Sequence, residues 1–207
     1  MKVFMKMKNL AFGPAVRSRW SQETEAVVKR SGTSFYWAMR RLPVKKRNAM
    51  YAIYAFCRLV DDIVDEPGKA GQKQEALKWW RCELNELYRG TPSHFVTQAL
   101  LTSVDLFRLQ KQDFIDIIKG MEKDSRGQVR LQNISELELY CDQVACAVGR
   151  LSVRVFGVPL ELQLKLSFAQ GQALQLTNIL RDIKEDIILD RLYLPIDLLN
   201  SNSIHFN

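Results

Sequence analysis

Asp61, Asp62, Asp65 and Glu66 place four carboxylates within six residues, in the run Arg58-Leu59-Val60-Asp61-Asp62-Ile63-Val64-Asp65-Glu66. Apolar residues recur around them at three- and four-residue steps (Ile53, Phe56, Cys57, Val60, Ile63, Val64), so the run reads as helix. On a helix Asp61 and Asp65 share one face, with Arg58 one turn earlier on the same side. Like charges at that spacing repel by a few tenths of a kcal/mol, and something should offset that cost. A second stretch, Gln175-Leu176-Thr177-Asn178-Ile179-Leu180-Arg181-Asp182-Ile183-Lys184-Glu185-Asp186, has the same character. Gln175, Asn178, Asp182 and Asp186 follow three- and four-residue steps and line one face, while Ile179, Leu180, Ile183 and Ile187 take other sides. Two such helices can face each other across a cavity. Oxygen ligands without His or Cys suit a hard cation, and Mg2+ is usually held by a few carboxylates together with substrate phosphates. The competing reading makes both stripes solvated faces with local salt bridges, Arg58 to Asp61 or Asp62 and Asp182 to Arg181 or Lys184. Two stripes of matching spacing, each with an adjacent Arg, favour the metal–diphosphate reading.

The elements that must position these stripes are helices. Pro43 fits the first turn of a long helix running to about Glu66, and Pro67-Gly68 stops it. The second stripe sits on a helix from about Leu160 to Leu189, ended by Asp190-Arg191-Leu192-Tyr193-Leu194-Pro195. Gly171 within it costs about 1 kcal/mol relative to Ala, which suggests a close approach of backbone or ligand. Further helices are expected over about Gln22–Lys29, Glu75–Tyr88, Val96–Leu109, Gln112–Glu122 and Ser135–Phe156. The polar segment from Lys123 to Asn133 reads as loop. A short aromatic helix opens at Thr33-Ser34-Phe35-Tyr36-Trp37-Ala38-Met39. Its hydroxyls could cap that helix or sit with its N-terminus against a phosphate; the residues alone do not choose. No alternating strand pattern of useful length occurs, so the class is all-α, with helices around a central cavity.

The 207 residues suit one domain with a substantial core. The formal charge of +7 favours anionic partners or reflects a Lys-rich surface. Cys57, Cys82, Cys141 and Cys146 form no C-x-x-C pair, and three of them fall in apolar helical patterns, as buried thiols in a reducing cytoplasm would. With only His94 and His205, little material exists for a Ser-His-Asp triad or a His-based zinc site. The start, Met1 to Lys8, lacks a signal-peptide core, and no stretch offers ~18 uninterrupted apolar residues for a membrane span. The basic residues are scattered and no recognition motif marks a nucleic-acid binder. No dinucleotide-binding Gly motif appears.

These motifs resemble the squalene/phytoene synthase family of head-to-head trans-isoprenyl diphosphate synthases. The resemblance covers about residues 30 to 199. It rests on Ser34-Phe35-Tyr36-Trp37-Ala38-Met39-Arg40-Arg41-Leu42-Pro43, on Ala52 to Arg58 with Asp61-Asp62-Ile63-Val64-Asp65, on Tyr140 to Gly157, and on Leu174 to Asp182 with Glu185-Asp186. The Tyr140–Gly157 run is most similar to the family's bacterial hopanoid branch. The resemblance implies an isoprenoid-synthase-type bundle and a prenyltransferase that condenses two farnesyl diphosphates to presqualene diphosphate. Asp61 and Asp65 would hold Mg2+ (Mn2+ being the other admissible ion) on one diphosphate. Asn178 and Asp182, with Asp186, would hold it on the other aspartate-rich face. Arg58, Arg181, Tyr54, Gln175, Ser34 and Phe35 would contact substrate, and Tyr140 would join Asp61, Asp65, Arg58 and Asp182 in catalysis. Phe35, Tyr36, Tyr140 and Phe168 are candidate aromatic walls for a carbocation. The partner implied is an isoprenyl diphosphate, with no nucleic acid, in the cytoplasm; a peripheral membrane contact is compatible with release of an apolar product. Phytoene or dehydrosqualene synthesis is the alternative activity, and an inactive remnant or non-catalytic helical protein the alternative class.

Relatives of this kind continue for several helices past Leu192-Tyr193-Leu194-Pro195. The expectation is one incomplete synthase domain over 1–207, loosely organised over 1–19, lacking the C-terminal helices and ending in a polar tail over 200–207 without helical pattern.

Overall fold

The chain folds around one buried helix. In the computed structural model, which describes residues 13–204, α1 (Pro14–Arg30) and α2 (Phe35–Arg40) lead into α3 (Val44–Asp65). There follow α4 (Ala70–Arg89), α5 (Phe95–Phe107), α6 (Lys111–Asp124), strand β1 (Val129–Arg130) and α7 (Ile134–Cys141). A π-helical turn (Asp142–Cys146) joins α7 to α8 (Ala147–Phe156), and α9 (Leu160–Arg181), α10 (Ile183–Ile188), β2 (Arg191–Leu192) and α11 (Ile196–Ser201) complete the order. Helix α3 packs against α1, α4, α5, α6 and α8. Ala49, Ala52 and Ala55 let its neighbours approach closely, and Ile53, Phe56, Val60 and Val64 fill the centre. Phe56 sits edge-on to both Trp80 and Phe114, at 5.5 and 5.1 Å between ring centres, a favoured aromatic arrangement. A smaller core gathers Val129, Leu131, Leu137, Tyr140, Cys141, Ile179 and Tyr193 beside the first.

The structure revises several expected boundaries. Helix α1 begins at Pro14, so residues 14–19 are helical rather than loose; Pro at the first helical position loses no hydrogen bond there. Residues 1–12 and 205–207, on which the rest of the N-terminal and tail expectations fall, lie outside the described residues. Asn200 and Ser201 close the short helix α11 instead of opening an unstructured tail. The expected helix from Ser135 to Phe156 carries the π turn, whose extra residue packs Val144 onto Gly120 and Cys146 onto Gly171. The expected Leu160–Leu189 helix breaks at Asp182 (φ −99°, ψ 13°). The loop after Asp124 includes β1, which pairs in parallel with β2 in the register Val129 with Arg191 and Arg130 with Leu192. Among the described residues, no helix is long and apolar enough to cross a membrane.

Candidate active site

The C-terminal half of α3 delivers the first stripe. Val60 and Val64 anchor it in the core, which turns Asp61 and Asp65 toward a cavity of about 470 Å³. The helix has no basic residue in its last turn, so its negative dipole end adjoins two aspartates. Cations from elsewhere relieve it. Lys73 Nζ and Arg191 Nη2 both donate to the Val64 carbonyl, at 2.7 and 3.1 Å, and Arg191 Nη1 donates to Asp65 Oδ1 at 3.2 Å.

The end of α9 and the start of α10 deliver the second stripe. Gln175, Asn178, Asp182 and Asp186 line the same cavity as Asp61 and Asp65, and Tyr140, Asp124, Arg191, Tyr193 and Glu185 line it with them. Burial pushes the Asp61 carboxyl up to about 6, with the charge of Asp65 adding to the rise and Arg58 opposing it. Burial also raises Asp186; Arg191 pulls against that shift, and Asp182, Glu185 and Asp65 add to it. Asp182 goes the other way, because Arg181 grips both its oxygens at 2.6 Å. The cavity therefore concentrates negative charge, with Arg191 the one cation among its described lining residues.

Asp124 forms the floor. It is 5% exposed and accepts hydrogen bonds from Tyr140 Oη and Tyr193 Oη, each at 2.9 Å. The two tyrosine rings stack at 4.7 Å. Burial holds the Asp124 carboxyl up at about 6 despite both hydroxyls, and burial beside Asp124 raises both tyrosines.

Other expected site residues lie apart from these. Arg58 pairs with Asp62 at 2.6 Å and with Asp61 at 3.8 Å, so the local salt bridges of the competing reading form as well. Arg58, Arg181, Tyr54, Ser34 and Phe35 do not line the cavity. Tyr54 Oη donates to Ser31 Oγ at 2.9 Å. Ser34 is exposed and makes no capping bond; Thr33 Oγ1 accepts from the Phe35 amide instead, at 3.3 Å. Phe35 is exposed, as is Phe168.

Sequence reasoning missed Asp124, Arg191 and Tyr193. Asp124 ends α6 at the edge of a polar stretch read as loop. Arg191 and Tyr193 are two apart on an extended segment and so point the same way, but that segment is too short to show a pattern. Asp190 aims it: its backbone is left-handed (φ 58°), a conformation Asp tolerates better than most residues, and its carboxylate pairs with Arg130.

The squalene/phytoene synthase family model matches residues 28–204. The chain belongs to this family. Its relatives include presqualene diphosphate synthases of Rhodopseudomonas palustris, 49% identical over 84% of this chain and 62% of that one, and of Zymomonas mobilis, 45% identical over 92% and 66%. A phytoene synthase of Arthrospira platensis is 35% identical over 89% and 63%. Among solved structures, a dehydrosqualene synthase in complex with ligand superposes with a TM-score of 0.82 at 30% identity, covering 91% of this chain and 65% of that one. A squalene synthase from Alicyclobacillus acidocaldarius superposes at 0.81 and 29%, covering 91% and 71%. The chain thus spans a little under two thirds of the length of these curated family members.

The cavity's donors fit a hard divalent ion of the kind this family implies. Carboxylate and amide oxygens line it without His or Cys, and beyond the rise that burial gives the Asp61 carboxyl, the charges of Asp65 and Asp62 push it further up, a repulsion that a cation would relieve. Among the described residues, no three such side chains converge closely enough to hold a metal alone. The fit is therefore to an ion that completes its shell with substrate phosphate, as Mg2+ does.

Proposed function

We propose that this chain carries the catalytic site of a prenyltransferase that joins two farnesyl diphosphates head to head, giving presqualene diphosphate and diphosphate. The observation that carries this reading is that both stripes line one cavity: Asp61 and Asp65 from α3, and Asn178, Asp182 and Asp186 from α9 and α10. Identity of 45–49% to presqualene diphosphate synthases, against 35% to a phytoene synthase, supports the C15 substrate.

In this reading Asp61, Asp65, Asn178, Asp182 and Asp186 hold Mg2+, which when bound offsets the charge of the diphosphates. Arg191 stabilises negative charge on the departing diphosphate as the allylic C–O bond breaks. Its contacts with Asp65 and the Val64 carbonyl fix the guanidinium beforehand. The double bond of the second substrate forms the new C–C bond, and loss of one proton closes the cyclopropane. The released diphosphate can take that proton, so no histidine is needed. Tyr140, held by Asp124, presents an aromatic wall beside Val144 and Ile179, where a carbocation is shielded from water.

Mass spectrometry of products from farnesyl diphosphate, with Mg2+ and with EDTA, tests the reading. A C30 diphosphate that EDTA abolishes is the expected result. A product only from geranylgeranyl diphosphate would move the chain to the phytoene class, and no product from either, by a chain folded by circular dichroism, would remove the catalytic reading.

A further inference from the structure

Arg150 on α8 is held by three carboxylates from two directions. Its Nε donates to Asp113 Oδ1 at 2.6 Å and its Nη2 to Asp116 Oδ2 at 3.3 Å, both on α6. Asp113 is buried, so the guanidinium offsets a charge that would be costly alone. The third contact is of another kind. Arg150 Nη1 donates to Asp142 Oδ1 at 2.7 Å, and Asp142 is the first residue of the π turn. The two belong to one helical run, eight residues apart. On an uninterrupted α-helix they would stand about 80° apart around the axis, on different faces. The π turn adds one residue between them, so they behave as a pair seven apart, within about 20° of each other. The long Arg side chain leans toward the helix N-terminus and closes the gap. The extra residue therefore brings the pair together, and the pair in turn favours this register over a plain α-helix.

We propose that Arg150 is a positioning residue: it locks the π turn in register and so aims Tyr140 and Val144 at the cavity that both line. Without the extra residue α7 would turn by about 100° against α8. Tyr140 would then leave Asp124, to which it donates at 2.9 Å. Val144 would leave Gly120, against which it packs so closely that a Cβ there would collide with it. On the other side the turn seats Cys146 on Gly171, and α8 seats Gly149 against Ser167, so α9 is held to the same frame. Arg150 does not line the cavity and acts through the turn alone. The inference deepens the proposed prenyl transfer and rests on it. A displaced wall would admit water to the allylic cation; the water oxygen would bond to the cationic carbon and release a proton, giving farnesol in place of the C30 diphosphate.

Two readouts on the full chain test it: amide exchange over residues 142–147, and the ratio of farnesol to C30 diphosphate formed from farnesyl diphosphate with Mg2+. Arg150→Met and Asp142→Ala should each lower protection of the turn at least about tenfold, as loss of a charge-assisted hydrogen bond does, and raise the ratio at least about tenfold, as a displaced wall does. The ratio does not depend on how much of the sample is folded, so a merely structural role would not move it. The double variant should match Arg150→Met, because both substitutions break one contact. Arg81→Met removes a comparable pair, from α4 to Glu122 on α6 at 2.6 and 2.7 Å, and should leave both readouts unchanged. If Arg150→Met melts early, Asp142→Ala, which leaves Arg150 on Asp113 and Asp116, decides. Unchanged protection, additive effects, a ratio that stays put, or an equal response from Arg81→Met overturns the proposal. Exchange needs no turnover: a wild-type chain that made no product would remove the catalytic reading, and the lock would still be judged by exchange.

Discussion

Asp124 is the residue whose cost the rest of the site must carry. A carboxyl at about 6 in the folded chain and about 3.9 when unfolded keeps its proton longer in the fold. Below about pH 4 both states are protonated and the group is neutral toward stability. As pH rises from about 4 to about 6 the unfolded chain has released the proton and the folded chain has not, so stability falls, by an amount on the order of 2–3 kcal/mol. Asp124→Asn should flatten this slope while keeping a hydrogen-bonding group for Tyr140 and Tyr193. Urea melts of both proteins from pH 4 to 7 check it, and parallel slopes would refute it. Arg191 makes a complementary prediction. Arg191→Met should weaken diphosphate binding at least about tenfold, as removal of a charge-assisted partner does, while Arg58→Met, whose guanidinium is taken up by Asp62, should weaken it less. Isothermal titration with inorganic diphosphate and Mg2+ orders the two, and the reverse order would return the diphosphate to Arg58.

At the scale of elements, α9 is placed by its glycine. A Cβ at Gly171 would lie 2.6 Å from Cys146 Sγ and 2.7 Å from the Cys146 backbone, which no side-chain rotation relieves. Gly171→Ala should therefore destabilise the fold by about 1–3 kcal/mol and shift the wall bearing Gln175 and Asn178. Gly71 on α4 meets nothing within 4 Å, so Gly71→Ala should leave stability unchanged or raise it by a few tenths of a kcal/mol. Thermal melts of the pair separate crowding from helix propensity, and equal effects would remove the crowding argument. The same region shows where the sequence was legible. Helices α3 to α6 and both stripes could be read because apolar and acidic residues recur with the helical period. The π turn could not, because one extra residue per turn leaves Tyr140, Val144 and Val148 evenly spaced. The break at Asp182 was hidden because Asn178, Asp182 and Asp186 keep a four-residue step across it. Arg191 enters through a two-residue strand whose partner, Val129, lies far away in sequence, and Asp124 becomes a floor only when two tyrosines from separate elements meet over it.

For the whole molecule, the cavity lies between two cores. Val64 and Met121 belong to or border the larger, and Tyr140, Ile179 and Tyr193 to the smaller. A ligand that needs both stripes must hold these cores together and should stabilise the fold as a unit. Mg2+ alone meets carboxylates too dispersed to enclose it, and diphosphate alone meets a largely acidic cavity with one lining cation, so each should raise the melting temperature little. Together they should raise it much more: at 100 times the dissociation constant the gain is about 2.7 kcal/mol, or roughly 5–10 °C for a chain of this size. Asp61→Ala and Asp182→Ala should each abolish the joint shift and the Mg2+-dependent turnover while leaving helical content intact, since both side chains are partly exposed. Scanning calorimetry with Mg2+, inorganic diphosphate and both distinguishes this from the salt-bridge reading. In that reading the ligands would act additively, and each substitution would lower the melting temperature without changing the response to them.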